Sequence, residues 1–347
     1  MVCRAAISAT CVTPPVPYLA AISIKATSPY SVLALKAKVA RHVEIRLPLI
    51  PTYELGNWPL LGLAAEQLFH HPPRFMCELL ALSANTPTDM RFSFRGLTRR
   101  GGATGEHADG WGLASFDPQG GGLRVIREES AAAFSPLAAQ MAEHDLKALY
   151  SLAHIRKATQ GVVTLDNCHP FQRQWHGQDW AFAHNGDIKG TIPSGDPYSP
   201  IGNTDSEAAF CWILNTLNDG ASPQLGRNIL FDLLNRCSAH LAGQGIFNCL
   251  ISNGQWLYAF GGTKLHVITR RAPFAQATLA DDNVTVDFSA VTTENDVVTI
   301  VSTEPLTTNE TWRPLESGES LLVVDGEIVA SHTSAGAQDR GENPRLE

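Results

Sequence analysis

The order of the predicted secondary-structure elements is the feature that most restricts the fold of this chain. From residue 77 onward, short apolar strands precede one pair of helices, and further strands follow that pair. The first group of predicted strands covers residues 77–84, 110–116, 123–128, 149–155 and 180–184. Because each sheet must bury an apolar face, this order predicts an α+β fold, with two packed sheets and helices layered outside them.

Local signals define the helices and the later strands. The segment Thr204-Asp205-Ser206-Glu207 matches the capping box and predicts that a helix begins at Thr204. Apolar residues then recur at helical spacing in residues 210–217, and a second helix is predicted over residues 224–241. Asn253-Gly254 and Asp325-Gly326 each separate two apolar runs, which predicts two β-hairpins.

Composition argues against several classes of protein. The net charge of −8 is unfavourable for binding nucleic acid, which needs a basic surface. The apolar runs are shorter than the roughly 18 residues of a membrane helix, so no membrane partner is expected. Seven scattered cysteines without a Cys-x-x-Cys pair indicate reduced thiols and a cytoplasmic location. The histidines lack the spacing of metal ligands, so neither a metal site nor a cofactor is expected.

Residues 1–75 differ from the rest of the chain. They contain seven Lys or Arg and three Glu, a net charge of +4, which leaves −12 for residues 76–347. They are rich in Pro, Ala and Ser and lack sustained periodicity. Three interpretations remain open: translated sequence upstream of a start at Met76, a propeptide, or a targeting segment. In each case the segment lies outside the catalytic fold, and the tail 334–347 is predicted to be disordered.

Cys77 is the first candidate for a catalytic residue, because it directly follows Met76. Methionine before a small residue is the context in which an initiator is normally removed, and removal would leave the Cys77 thiol beside a free α-amine. Such an amine has a pKa of about 7.7–8.0, which suits a general base near neutral pH. An internal Cys77 would lack this base and would more ordinarily be a small buried residue.

Three further clusters have both a chemical and a structural interpretation. Arg156 leaves a predicted strand, and its guanidinium could bind a carboxylate, although a single arginine is more often a surface residue. Asn185 and Gly186 could donate two hydrogen bonds to an oxyanion, whereas Asn-Gly is also a common turn. Asp205 could bind an ammonium group or simply stabilise the first turn of its helix.

These clusters, in this order, resemble the class II glutamine amidotransferases, which are N-terminal-nucleophile hydrolases, and especially their small stand-alone bacterial members. The resemblance extends from Cys77 to about Ala330. The segments that carry it are Met76-Cys77-Glu78-Leu79-Leu80, Arg99-Arg100-Gly101-Gly102, His107-Ala108-Asp109-Gly110-Trp111-Gly112, Asn167-Cys168-His169-Pro170-Phe171, His184-Asn185-Gly186, Thr204-Asp205-Ser206-Glu207 and Leu265-His266-Val267-Ile268-Thr269-Arg270-Arg271-Ala272-Pro273-Phe274. Each segment is a weak signal, but the series is specific.

The resemblance implies a four-layer αββα sandwich over residues 77–333 and a role for each candidate. Cys77 would be the nucleophile, with its freed amine as the base. Asn185 and Gly186 would stabilise the oxyanion, Arg156 would bind the substrate's α-carboxylate, and Asp205 would bind its α-ammonium. The implied reaction hydrolyses the side-chain amide of glutamine to glutamate and ammonia through a thioester on Cys77.

The substrate and the partner remain open. Amidotransferase domains fused to synthases commonly have Trp and His near the arginine, where this chain has Lys157 and Gln160. The alternative substrate is therefore a γ-glutamyl compound other than glutamine. Because one domain occupies the chain from residue 77 onward, the ammonia is expected either to reach a separate synthase or to be released.

The alternatives to this function are a non-catalytic binding module and a papain-like enzyme. If Cys77 is never freed, a non-catalytic binding module is expected. A papain-like pairing of a cysteine with His169 or His184 is disfavoured, because no cysteine has the matching local signature. Cys168 is therefore expected to be structural, despite its position beside His169.

Overall fold

The computed structural model describes residues 77–119, 122–144, 147–158, 161–220 and 226–334. The expectations for residues 1–75 and for the tail after residue 334 lie outside the described residues, as does Gln160. The helices are α1 (Arg91–Arg100), α2 (Pro136–Met141), α3 (Asp205–Gly220) and α4 (Arg227–Ala242). The strands are β1 (Glu78–Asp89), β2 (Trp111–Phe116), β3 (Leu123–Glu128), β4 (Lys147–Ile155), β5 (Phe171–Trp175), β6 (Gln178–Ile188), β7 (Gly245–Ser252), β8 (Leu257–Gly261), β9 (His266–Arg271), β10 (Gln276–Thr278), β11 (Thr285–Asp287), β12 (Val297–Ser302), β13 (Arg313–Pro314), β14 (Glu319–Val324) and β15 (Glu327–Thr333). Within these residues, no helix has the length and apolar character needed to cross a membrane.

Two antiparallel sheets form the centre of the fold. The first sheet has seven strands in the order β13-β9-β12-β1-β4-β2-β3, and the second has six in the order β15-β14-β8-β7-β6-β5. Strand β1 is central in the first sheet, between β12 and β4. In the second sheet β6 pairs with β7 as far as Ile188, but with β5 only as far as Phe182. One edge of β6 therefore extends beyond its neighbour.

Alternation of side chains along the strands divides the interior into three apolar layers. Leu79 of β1 lies in the layer between the two sheets, together with Ala183 of β6. Leu80, on the opposite face of β1, lies in a layer with Phe94 of α1. A third layer lies between the second sheet and helices α3 and α4. The fold is thus a four-layer αββα sandwich, as the sequence predicted.

Helix α1 was not predicted from the sequence, although Asp89 Oδ1 accepts from the Arg91 N–H at 2.9 Å, at the start of the helix. Its N-cap residue is Met90, which makes no side-chain capping bond, and its first turn contains no acidic residue. Phe94 and Leu97, three residues apart, are buried against the first sheet. Gly96 lies between them because a Cβ there would come within 2.8 Å of Leu279 Cδ2. Packing of this apolar face contributes to the stability of the helix.

Both predicted hairpins are present, with different turns. Asp325 and Gly326 both have positive φ, 48° and 76°, as a two-residue type I′ turn between β14 and β15 requires. The β7–β8 connection covers residues 253–256, and within it Gly254 has a φ of 82°. The Asn-Gly pair therefore belongs to a longer loop than the sequence signal suggested.

Candidate active site

Two of the predicted chemical residues, Cys77 and Asn185, face the gap between the two sheets, at one end of it. Cys77 lies directly before β1, in phase with Leu79, which points into this gap. Asn185 is in phase with Ala183 on the facing strand β6. Arg156 follows the end of β4 and is buried. The fold therefore brings candidates from both sheets to the same end of the gap.

The Cys77 thiol contacts the main chain of Lys157. The Lys157 N–H donates to Cys77 Sγ at 3.3 Å, and the thiol donates to the Lys157 carbonyl oxygen at 3.5 Å. Burial raises the pKa of the thiol to about 11, while the Lys157 N–H and the charge of Arg156 act in the opposite direction. Although Cys77 keeps part of its surface exposed, this thiol needs a base to remove its proton before it can attack.

The residue next to Cys77 is held by a buried ion pair. Glu78 and Arg100 are both buried, and Arg100 Nη1 lies 3.0 Å from Glu78 Oε2. Arg100 also donates to Asp281 and to the carbonyl oxygens of Glu304 and Pro305. Burial raises the pKa of Glu78, and the charge of Arg100 opposes that shift. This network holds the start of β1 in place, as a chain that begins at Cys77 would require.

Asp109 positions the segment that contacts Cys77. Its carboxylate accepts from the Ala158 N–H at 2.8 Å, and its own N–H donates to the Arg156 carbonyl oxygen at 3.1 Å. The Arg156 side chain in turn donates from Nη1 to the Asp109 carbonyl oxygen at 3.4 Å. Asp109 lies in the motif at residues 107–112, and the sequence predicted no individual role for it. Its contacts hold residues 156–158, the segment that contacts Cys77.

Asn185 and Gly186 lie within a strand, not at a strand end as the sequence suggested. Strand β6 continues to Ile188, because Gly186 lets β7 approach closely; a Cβ at residue 186 would be 1.8 Å from the Ile246 carbonyl oxygen. The Ile188 N–H donates to Asp205, whereas the next N–H, of Lys189, donates toward β7. Since N–H directions alternate along a strand, the Gly186 N–H points away from β7, to the edge that β5 leaves open.

Asn185 is connected to β1 through Thr303, a residue that the sequence did not single out. Asn185 is fully buried, and its Nδ2 lies 3.3 Å from Thr303 Oγ1. The same oxygen accepts from the Leu79 N–H at 2.8 Å. Thr303 follows an apolar strand and matches no motif, so the sequence held no signal for this contact.

Asp205 begins α3 and also contacts β6. The predicted N-cap contact is present, since Thr204 Oγ1 accepts from the Glu207 N–H at 3.2 Å. The reciprocal half of the capping box is replaced, because Glu207 accepts from the Gly202 N–H and pairs with Arg173. The Asp205 carboxylate accepts from two main-chain N–H groups, those of Ile188 and Ser206. These bonds fix the carboxylate at the open edge of β6.

The histidines of the papain-like alternative are used structurally. His184 Nδ1 lies 2.8 Å from Ser206 Oγ, so its ring faces α3 rather than the gap between the sheets. The His169 ring packs against His154 with a centroid distance of 4.1 Å. The Cys168 thiol donates to the carbonyl oxygens of Glu128 and Thr164. These contacts agree with a structural Cys168.

Three buried histidines should make the fold sensitive to acid. Burial lowers the pKa of His154 to about 3, and it also lowers the pKa values of His169 and His184. An unfolded histidine titrates near pH 6.5, so below that pH the unfolded state binds more protons than the folded state. We expect the free energy of unfolding to be highest above about pH 6.5. It should fall below that value, by about 1.4 kcal/mol per pH unit for His154, with further losses of the same sign from His169 and His184.

Urea denaturation at several pH values between about 4.5 and about 7.5 measures this slope. His154→Asn removes one buried histidine, and its slope should be smaller by about 1.4 kcal/mol per pH unit. His332→Asn, at the exposed end of β15, should leave the slope unchanged. A free energy of unfolding that stays constant across this pH range would contradict the assignment of neutral buried histidines.

The αββα architecture, with a cysteine directly before a central strand, is that of the N-terminal-nucleophile hydrolases. The sequence model of the class II glutamine amidotransferases matches residues 76–346, and the chain therefore belongs to this family.

Comparison with individual proteins agrees with this family assignment. The glutamine amidotransferase homologue YafJ of Escherichia coli (strain K12) is 45% identical over 258 residues, which are 73% of this chain and 100% of YafJ. A homologue from Haemophilus influenzae is 43% identical. The match covers 74% of this chain and 87% of the homologue. The crystal structure of a predicted glutamine amidotransferase from Pseudomonas aeruginosa PA01 superposes with a TM-score of 0.60 at 41% identity. That match covers 73% of this chain and 100% of the solved one.

Proposed function

We propose that this chain hydrolyses the side-chain amide of glutamine to glutamate and ammonia through a thioester on Cys77. The observation that carries the proposal is the place of Cys77. It lies directly before central strand β1, its thiol contacts the Lys157 main chain, and Asn185 lies on the facing sheet. Membership of the class II glutamine amidotransferases supports the same reaction.

The proposed reaction has two halves. The freed α-amine of Cys77 takes the thiol proton, and the sulfur attacks the amide carbon of the substrate. The carbonyl oxygen becomes an oxyanion, which Asn185 and the Gly186 N–H stabilise. The amine then returns the proton to the leaving nitrogen, and ammonia departs. Water, activated by the same amine, attacks the thioester, and glutamate leaves with the thiol restored.

Arg156 and Asp205 are proposed to hold the glutamyl end of the substrate. Arg156 is buried beside Cys77, and its charge acts on the Cys77 thiol. Asp205 has both carboxylate oxygens fixed by main-chain N–H groups; Oδ1 also accepts from the Ser206 hydroxyl, and Oδ2 has a second lone pair for an ammonium group. The two side chains thus offer a cation for the α-carboxylate and an anion for the α-ammonium.

Replacing either residue should weaken substrate capture more than chemistry. Asp205→Asn keeps the shape of the side chain, and Arg156→Lys keeps its charge but loses the paired donors. A hydrogen bond to a charged group is worth about 1.5–3 kcal/mol, so kcat/KM should fall by about tenfold to a hundredfold, mostly through KM.

Initial-rate kinetics with glutamine, following ammonia release, measure this effect. Asp179→Asn, on the distant end of β6, and Arg95→Lys, on the surface of α1, are matched controls that should keep the normal KM. Normal KM and normal kcat/KM for Asp205→Asn and Arg156→Lys would remove these two residues from the substrate site.

A γ-glutamyl amide other than glutamine is the second candidate substrate. Lys157 follows Arg156, and its ammonium forms an ion pair with Glu106 at 2.8 Å. The residue whose main chain contacts Cys77 is therefore charged and not aromatic. A substrate panel that keeps the γ-glutamyl group and varies the leaving amine separates the candidates. A preference for glutamine supports the first, and higher kcat/KM with a larger leaving group supports the second.

The proposal requires that residues 1–76 be absent from the active form. The match to the family begins at residue 76, and YafJ is covered over its full length by the matched part of this chain, which supports that requirement. We also place the activity in the cytoplasm, since the five cysteines of the described residues are all free thiols. The ammonia would pass to a separate synthase or be released. A chain that retains residues 1–76 would instead act as a binding module.

A further inference from the structure

We propose that Thr303 is a positioning residue that orients the Asn185 side-chain amide toward the oxyanion. This inference rests on the proposed function, since it concerns the same reaction. Thr303 lies directly after β12, is buried, and is in phase with Val301, which faces the gap between the sheets. It therefore points into the same gap as Cys77 and Asn185.

The Thr303 hydroxyl is held at a fixed place. The Thr303 N–H donates to the Leu79 carbonyl oxygen at 3.1 Å, and the Leu79 N–H donates to Thr303 Oγ1 at 2.8 Å. The Thr303 carbonyl oxygen lies 2.9 Å from His266 Nδ1. Leu79 is two residues from Cys77 along the same chain. The Thr303 hydroxyl therefore connects the start of β1, next to Cys77, with Asn185 on the second sheet.

The Asn185 side-chain amide can form a hydrogen bond with the Thr303 hydroxyl in either of two orientations. In the first, Asn185 Nδ2 donates to Thr303 Oγ1 at 3.3 Å, and Asn185 Oδ1, which is buried, has no hydrogen-bond partner. The Thr303 oxygen then accepts two hydrogen bonds, and its own hydrogen serves neither partner. In the second, a half-turn of the amide lets the Thr303 O–H donate to Asn185 Oδ1. The Leu79 N–H bond to Thr303 is kept.

The second orientation creates a donor for catalysis. It pairs Asn185 Oδ1 with the Thr303 hydroxyl hydrogen, and in the free enzyme it leaves the Nδ2 N–H groups unpaired until an oxyanion accepts from them. The half-turn also places the two N–H groups of Nδ2 where Oδ1 lies in the first orientation. There they could donate to a developing oxyanion. Thr303 favours this orientation because its hydroxyl hydrogen then has an acceptor, Asn185 Oδ1, while its oxygen still accepts from the Leu79 N–H.

Three substitutions test this role in the enzyme isolated from cells that express the full sequence. Thr303→Val replaces the hydroxyl with a methyl group of similar shape, and Thr303→Ser keeps the hydroxyl. Thr299→Val is the matched control, because Thr299 is a buried threonine of the same strand whose hydroxyl bonds to Thr269 and Gly326, away from Cys77. For each variant we would measure kcat, KM, thermal stability and the rate at which iodoacetamide alkylates Cys77.

We expect Thr303→Val to lower kcat by about tenfold to a hundredfold, because one oxyanion donor is typically worth 10²–10³ and here it is misoriented rather than removed. KM should stay within about twofold, and alkylation of Cys77 should be unchanged. Thr303→Ser should restore kcat to within about threefold of the unmodified enzyme. Thr299→Val should keep a normal kcat, even if its melting temperature falls as much as that of Thr303→Val.

The outcomes separate this inference from the proposed function. A normal kcat for Thr303→Val overturns the positioning role while the reaction stands. A kcat loss accompanied by slower alkylation of Cys77, or an equal loss in Thr299→Val, shows a general effect on packing and also overturns it. If the unmodified enzyme, with Cys77 shown to be its first residue, releases no ammonia or amine from any γ-glutamyl amide, the proposed function itself fails and this inference fails with it.

Discussion

A Cys77→Ala variant is expected to lose turnover by about 10⁴-fold or more, because removing the nucleophile of a covalent mechanism leaves only binding and oxyanion stabilisation. The variant should fold normally, since Cys77 precedes β1 and contributes no strand pairing. It should also bind glutamine, because Arg156 and Asp205 are unchanged. The rate of ammonia release, with and without glutamine, measures the loss of turnover. Isothermal titration calorimetry measures the affinity of the variant for glutamine.

The matched control for this variant is Cys237→Ala. Cys237 is buried on α4, in the layer on the outer side of the second sheet, far from the gap that Cys77 faces. This control should keep its kcat even if the fold is somewhat less stable, since truncation of a buried side chain leaves a cavity. Turnover that survives in Cys77→Ala, at more than about one percent of normal, would place the nucleophile elsewhere.

The second large effect is expected when Cys77 keeps its thiol but loses its free amine. One alanine inserted between Met76 and Cys77 would leave alanine as the first residue and convert the Cys77 nitrogen into an amide. An amide nitrogen is not a base, so the contribution of general-base catalysis, about 10²–10⁴ in rate, should be lost. Because burial raises the pKa of the thiol to about 11, the thiol cannot compensate by ionising near neutral pH.

The pH dependence of kcat/KM distinguishes this loss from a simple displacement of the strand. In the normal enzyme the profile should rise with an apparent pKa near that of a free α-amine, about 7.7–8.0. In the insertion variant this step should disappear. A variant in which Ala84, farther along β1, is replaced by Gly controls for general weakening of the strand, and it should keep the step. An insertion variant with normal kcat/KM and a normal profile would contradict the role of the amine.

The sequence predicted the architecture well because its strongest signals are local. The Thr204 cap fixed the start of α3, and Asp325-Gly326 formed the predicted type I′ turn. The αββα layering followed from the order of strands and helices. Helix α1 was missed although Asp89 accepts from the Arg91 N–H at its start; its first turn contains no acidic residue, and Phe94 and Leu97 are its buried apolar residues.

The site was predictable in its residue types but not in its connections. Asn185 and Gly186 were expected at a strand end, but β6 continues because β7 approaches Gly186 closely, a contact between residues about sixty positions apart. The link from Leu79 through Thr303 to Asn185 joins three segments that are distant in the sequence. Such contacts depend on the register of two sheets, and single-sequence periodicity does not specify register across sheets. The roles of Cys77, Asn185, Gly186, Arg156 and Asp205 remain predictions.

Intact-mass analysis of the enzyme, quenched in acid during turnover of glutamine, tests the central claim most directly, because the same spectrum gives both the first residue and any covalent intermediate. The account predicts a chain that begins at Cys77, with a fraction heavier by one γ-glutamyl group that maps to the N-terminal peptide. That fraction should be absent in Cys77→Ala. An active enzyme in which Cys77 is internal, or in which the glutamyl group maps to another residue, would contradict the account.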